Sequence, residues 1–190
     1  MHHYHEMTDS ELLESLIGKK ATEATYKGQL RPLFEANKET AAKELAPLLA
    51  ARELLQRWFA ERLEEKDSLA SPADVKRFLV AVFAGQGYES FVTMYMDAQM
   101  RLICAEESFR GTLTQTAVYP REIVRNALYH NAAGVLFAHN HPSGVAEPSR
   151  ADELLTQTLR SALQLVDVSV YDHMVIAGTS VTSFAERGLL

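Results

Sequence analysis

The sequence predicts an α/β protein: a small all-helical N-terminal region followed by a three-layer domain with a mixed sheet between helices. Three observations carry this. Apolar residues recur at helical spacing from Thr8 to about Glu65. Past a polar stretch, Glu64-Glu65-Lys66-Asp67-Ser68, the pattern changes to two β-rich runs, 89–97 and 101–109. A continuous apolar run, Ala133-Gly134-Val135-Leu136-Phe137-Ala138, then leads into a Pro/Gly-rich loop and an amphipathic helix, as a buried central strand would. The polar stretch is the expected boundary, giving a helical region over 1–67 and an α/β domain over 68–190.

In the first region, Thr8, Asp9 and Ser10 cap a helix with the stripe Leu12, Leu13, Leu16 and Ile17, which Gly18 stops. Tyr26, Leu30, Leu33 and Phe34 suggest a second helix. Leu45, Leu48, Leu49, Leu54, Leu55, Trp58, Phe59 and Leu63 suggest a third, kinked or opened by Pro47. In the second region Ser71-Pro72 starts a helix over 72–84, and a short polar turn joins the two β-rich runs. Pro120 opens the next helix and the apolar run follows it. A loop at 140–148, a helix at about 149–165 and short strands near 168–177 and 180–184 complete the chain.

With 47% hydrophobic and 23% charged residues, the chain has the make-up of a folded globular protein. The net charge of -6 is spread over both regions, and neither has the basic surplus of a tight phosphate-backbone binder. The one cysteine, Cys104, excludes an internal disulfide. No apolar run approaches the roughly 20 residues that span a bilayer. The expectation is a cytoplasmic protein without membrane partners. Residues 1–6, with His2, His3 and His5, read as a leader rather than a metal-binding tail, and Met7 offers an alternative start.

The chemistry concentrates in His139-Asn140-His141-Pro142-Ser143-Gly144, followed by Ser149-Arg150-Ala151-Asp152. Residues two apart on a strand share a face, so His139 and His141 emerge together where the buried strand ends. Pro142, Ser143 and Gly144 turn the chain, and Pro148 opens a helix with Ser149 and Asp152 in its first turn, facing the same way. Two imidazoles and one carboxylate leave a fourth tetrahedral position open, as in a catalytic zinc site. Such ligands also admit other divalent metals. Hydrolysis through an activated water needs a nearby carboxylate to carry the proton. Glu89, Glu106, Glu107 and Glu147 are candidates, and spacing does not choose among them.

These residues fit the JAMM motif, His-x-His, seven residues, then Ser-x-x-Asp. The stretch from about 88 to 190 resembles the RadC family through FRGTL at 109–113, VYPREIV at 118–124, NAAGVLFAHNHPSG at 131–144, YDHMVIAG at 171–178 and SFAERG at 183–188. The resemblance implies a JAMM/cytidine-deaminase-like fold and a zinc-dependent hydrolase acting on an amide or isopeptide bond of a peptide or protein. It assigns His139, His141 and Asp152 to the metal, Glu89 to general acid–base work and Ser149 to stabilising the oxyanion. Ser143 could support the metal loop or only turn the chain. Asp172 and His173 could orient a ligand or satisfy backbone groups.

Resemblance to the N-terminal part of RadC-like proteins is weaker. A helix-hairpin-helix module is expected there, and TDSELLESLIG resembles its first helix, but Glu35–Ala42 lacks the Gly-x-Gly that brings backbone amides close to phosphate. DNA repair is a link inherited from the family. The alternatives are a metal-dependent nuclease or repair factor, which the charge and the missing glycines disfavour, and a non-enzymatic module that keeps its metal for structure. Elsewhere, His130 and Cys104 read as core residues, Gly85-Gln86-Gly87 as a flexible turn, and Arg121 with Arg125 as a solvated helix face.

Overall fold

A computed structural model describes residues 4–34, 36, 43–65, 72–111 and 118–190. The chain divides into two compact units, Met1–Arg57 and Trp58–Leu190, with the division inside one long helix.

In the first unit, α1 (Asp9–Ile17) starts at a capping box: Thr8 Oγ1 accepts from Glu11 N–H, and the Glu11 carboxylate accepts from Thr8 N–H at 2.7 Å. The Tyr26–Phe34 segment differs from expectation. It is not one helix. α2 (Lys19–Thr25) ends at Tyr26, and α3 is the single turn Arg31–Phe34. Gly28, at φ 85°, lies between them in a conformation that no helix continues through. α2 escaped the sequence reading because KKATEAT carries no apolar stripe. Helix α4 runs over Ala46–Glu65, so Pro47 stands in its opening turn, where its missing N–H costs nothing. Leu13, Leu33, Leu45 and Leu48 form the core of this unit. The segment where hairpin glycines were sought, 35–42, lies outside the described residues except for Ala36.

The second unit contains α5 (Pro72–Phe83), β1 (Ser90–Met96), β2 (Leu102–Arg110), α6 (Pro120–Tyr129), β3 (Gly134–Asn140), α7 (Arg150–Gln164), β4 (Ser169–Ala177), β5 (Ser180–Ser183) and the short α8 (Phe184–Arg187). The five strands form one sheet in the order β2-β1-β3-β4-β5. β3 and β4 are parallel and the other neighbours antiparallel, which makes the sheet mixed, as predicted.

Alternation along the strands divides the core in two. Val92, Met94, Met96, Leu136, Ala138, Met174 and Ile176 face α5, packing on Val75, Phe78, Leu79 and Phe83. Phe91, Tyr95, Val135 and Phe137 face the other way, against Ile123 and Ala127 of α6 and Leu159 and Leu163 of α7. This is the expected three-layer α/β architecture, with β3 buried along its whole length. At Gly134 a β-carbon would run into the Tyr171 ring, so the strand starts where only glycine fits.

Candidate metal centre

The centre forms where β3 reaches the end of the sheet. His139 and Asn140 are its last residues, and His141 N–H still donates to Ile176 O at 2.8 Å, keeping the extended path through both histidines. Both imidazoles therefore leave on the α7 side. Their Nε2 atoms lie 3.0 Å apart. Asp152 comes from α7, whose N-cap is Ser149. The Ser149 hydroxyl and N–H donate to Asp152 Oδ2 at 2.6 and 2.7 Å, while Oγ accepts from Asp152 N–H. This capping box turns the carboxylate back toward the sheet. Oδ1 sits 3.4 Å from His139 Nε2 and Oδ2 3.8 Å from His141 Nε2, and one atom from each of the three residues lies within 4.8 Å of the others.

The donor set fits a cation. His141 Nδ1 lies 2.8 Å from Val145 O, and a carbonyl can only accept, so Nδ1 carries the hydrogen. Nε2 of the neutral ring is then a lone pair, aimed at His139 Nε2 and a carboxylate. Zinc binds such a set, as do other borderline metals. Burial alone raises the Asp152 carboxyl, but the His139 imidazole beside Oδ1 and the Ser149 hydroxyl and N–H outweigh it and hold the group well below the usual carboxylate range.

His173 on β4 stands behind His139, with Nε2 2.8 Å from His139 Nδ1 and Nδ1 2.6 Å from Thr156 Oγ1. Complete burial and the nearby His139 push His173 well below its ordinary value. Its neighbour Asp172 points to the opposite face and touches no ligand. Asp172 Oδ1 accepts from His173 N–H and Ala185 N–H, and Oδ2 accepts from Ser183 Oγ at 2.6 Å, which ties α8 to β4. Ser143 is exposed in the turn that Gly144 N–H closes onto His141 O.

Glu89 immediately precedes β1. Phe91 pairs with His139 across the antiparallel β1–β3 ladder, and their rings are nearly parallel at 6.4 Å between centroids. Glu89 lies two residues before this last pair of the ladder, outside the strand. Asn140 holds the segment: Oδ1 accepts from Ser90 N–H at 2.8 Å and Nδ2 donates to Tyr88 O at 2.9 Å. Glu106 takes His130 Nε2 and Asn126 Nδ2, Glu107 takes Ser90 Oγ, and Glu147 pairs with Arg187 at 2.6 Å, which lowers its pKa.

Cys104, Glu106 and His130 form a second convergence of metal-binding side chains. Here His130 Nε2 and Glu106 pair with each other at 2.8 Å. Burial, with the Glu106 charge added, pushes the Cys104 thiol up to about 11, which opposes the thiolate a metal needs. Arg121 and Arg125 both pair with Glu122 on α6.

A family model described as RadC-like JAB domain matches residues 69–189. The chain belongs to this RadC-like JAB domain family. It is 48% identical to a UPF0758 protein of Nitrosomonas eutropha, over 97% of this chain and 90% of that protein. It is 46% identical to a UPF0758 protein of Dechloromonas aromatica over the same shares. A third relative, UPF0758 protein NE1464 of Nitrosomonas europaea, is 55% identical over 77% of this chain and 66% of its own length. These names state no activity. The RadC resemblance read from the motif blocks is thus the family to which the chain belongs, and the mixed sheet agrees with its fold.

Sequence reasoning missed Asn140, Val145 and Thr156. Thr156 was within reach, since it stands four residues after Asp152 on the same helix face. Asn140 was not, because its role depends on where β1 begins. The Val145 contribution is a backbone carbonyl, which no side-chain motif records.

Proposed function

We propose that this RadC-like JAB protein is a metal-dependent hydrolase, with zinc the preferred ion, that cleaves an amide or isopeptide bond. The observation that carries the reading is the convergence of His139 Nε2, His141 Nε2 and an Asp152 carboxylate oxygen on one point, with His141 fixed as a lone-pair donor by Val145 O. A divalent cation held there supplies Lewis acidity, polarising a carbonyl and acidifying water. Glu89 takes the proton of the attacking water and passes it to the leaving amine. Ser149 steadies the developing oxyanion. Its hydroxyl donates to Asp152 Oδ2 in this structure, so it must turn before it can donate to substrate.

The peptide class of substrate is supported by the sheet edge. Among the described residues β2 is an edge strand, and its end at Arg110 pairs with Ser90, one residue from Glu89. An extended peptide adding to that edge would pass the end of the sheet at which His139 lies. A nuclease finds no support in the charge of -6. Among the described residues no helix is long and apolar enough to cross a membrane. A free Cys104 thiol suits the reducing cytoplasm, where we place the protein.

The test is metal content and hydrolysis of peptide and isopeptide libraries by wild type, His139→Ala and Glu89→Gln. The expected result is about one zinc in wild type, loss in the His139 variant, and retained zinc without hydrolysis in the Glu89 variant. Full metal occupancy after His139→Ala defeats the ligand assignment. Zinc in wild type without any hydrolysis favours a module that keeps its metal for structure.

A further inference from the structure

Two of the three proposed ligands are joined behind the site by hydrogen bonds that lie outside the ligand motif. Thr156, one turn after Asp152 on α7, donates its hydroxyl to the Asp152 main-chain oxygen at 2.6 Å. The same Oγ1 lies 2.6 Å from His173 Nδ1, and His173 Nε2 lies 2.8 Å from His139 Nδ1. All three side chains are buried.

Counting hydrogens gives the chain a direction. A hydroxyl has one hydrogen, and Thr156 directs it to a carbonyl that can only accept. Toward His173, Thr156 can therefore only accept, which places the hydrogen of the neutral ring on His173 Nδ1. His173 Nε2 is then bare and accepts from His139 Nδ1–H. His139 is left with a lone pair on Nε2, the atom that faces His141 and Asp152. The rings of Phe91, Phe137 and Phe184 surround His173 and offer no competing acceptor.

We infer that Thr156 and His173 are positioning residues that dedicate His139 Nε2 to the cation, so that metal affinity depends on a hydroxyl that never touches the metal. The inference rests on the metal-centre reading above. Without the Thr156 oxygen, His173 loses its acceptor at Nδ1 and can carry its hydrogen on Nε2 instead. It then donates to His139 Nδ1, and the His139 hydrogen moves to Nε2, where it blocks the cation. Partners that fix a ligating imidazole in this way govern affinity as well as angle.

The test is zinc affinity, by competition with a chelator, for wild type, Thr156→Val and Thr156→Ser. Valine keeps the shape and removes the oxygen, whereas serine keeps the oxygen. The expected result is binding weaker by roughly 10–100-fold in the valine variant. The serine variant is expected to stay close to wild type. Nitrogen-15 NMR of the histidine rings in zinc-loaded wild type should show His173 protonated on Nδ1, which decides the matter even where Thr156→Val does not fold. Unchanged affinity in the valine variant, equal weakening in both variants, or a hydrogen on His173 Nε2 overturns the inference. Wild type that binds no zinc overturns the metal-centre reading and this inference together. Wild type that binds zinc with the valine variant unchanged overturns this inference alone.

Discussion

Ser90 donates its backbone N–H to Oδ1 of Asn140 at 2.8 Å, joining the residue after Glu89 to the residue between the two histidines. The other end of the Asn140 amide holds Tyr88 O, so both peptide groups flanking Glu89 hang on one buried side chain. Asn140→Leu removes both bonds. At about 1 kcal/mol each, the expected loss of stability is about 2 kcal/mol. Zinc content should stay at the wild-type level, because no ligand is touched, while hydrolysis falls as Glu89 loses its placement. Denaturant melts with metal analysis check this. A variant as stable as wild type, or one that loses its zinc, contradicts the assignment.

Ser149 has two duties, capping α7 and donating to Asp152. Ser149→Ala removes the cap, with an expected cost of about 1 kcal/mol. Its three ligand atoms remain, so zinc should still bind. If the hydroxyl also stabilises the oxyanion, turnover on a substrate found by library screening falls by roughly 10²–10³. Full turnover in a zinc-loaded Ser149→Ala protein removes Ser149 from the chemistry and leaves it the cap alone.

Cys104 offers a pH test away from the metal centre. Its folded value, about 11, lies above the ordinary 9.0, because burial and then the Glu106 charge disfavour the thiolate. A raised value means that the folded state keeps its proton while the unfolded state loses it. The stabilisation is therefore fully present below pH 9 and is lost as pH rises from 9 toward 11. Alkylation of the native protein should be slow at pH 8 and rise toward a midpoint near 11, whereas the denatured protein reacts near 9. Glu106→Gln should move the native midpoint down. A native midpoint at or below that of the denatured chain contradicts this picture.

Much of the α/β unit was legible because its signals are local. The apolar run before His139 reads as a buried strand and is one, and Pro120 opens α6 as expected, while α7 begins at Arg150, with Ser149 its N-cap and Pro148 before the helix. Strand periodicity also put His139 and His141 on one face, as the structure shows. The N-terminal helices were read less well. α2 has no apolar stripe, and a break at Gly28 divides what Tyr26, Leu30, Leu33 and Phe34 suggested as one helix. The proton order through Thr156 and His173 was hidden for a different reason. It depends on a parallel pairing of β3 with β4, which places Phe137 opposite His173 and brings the two histidines together from residues 34 apart in the chain. No periodicity encodes such a pairing.

The most direct test of the metal centre is the X-ray absorption fine structure of zinc-loaded wild-type protein. His139, His141 and Asp152 predict two imidazole nitrogens and carboxylate oxygen at about 2.0–2.2 Å, with a light fourth ligand and no sulfur. A sulfur shell at about 2.3 Å would place the ion at Cys104 and contradict the account.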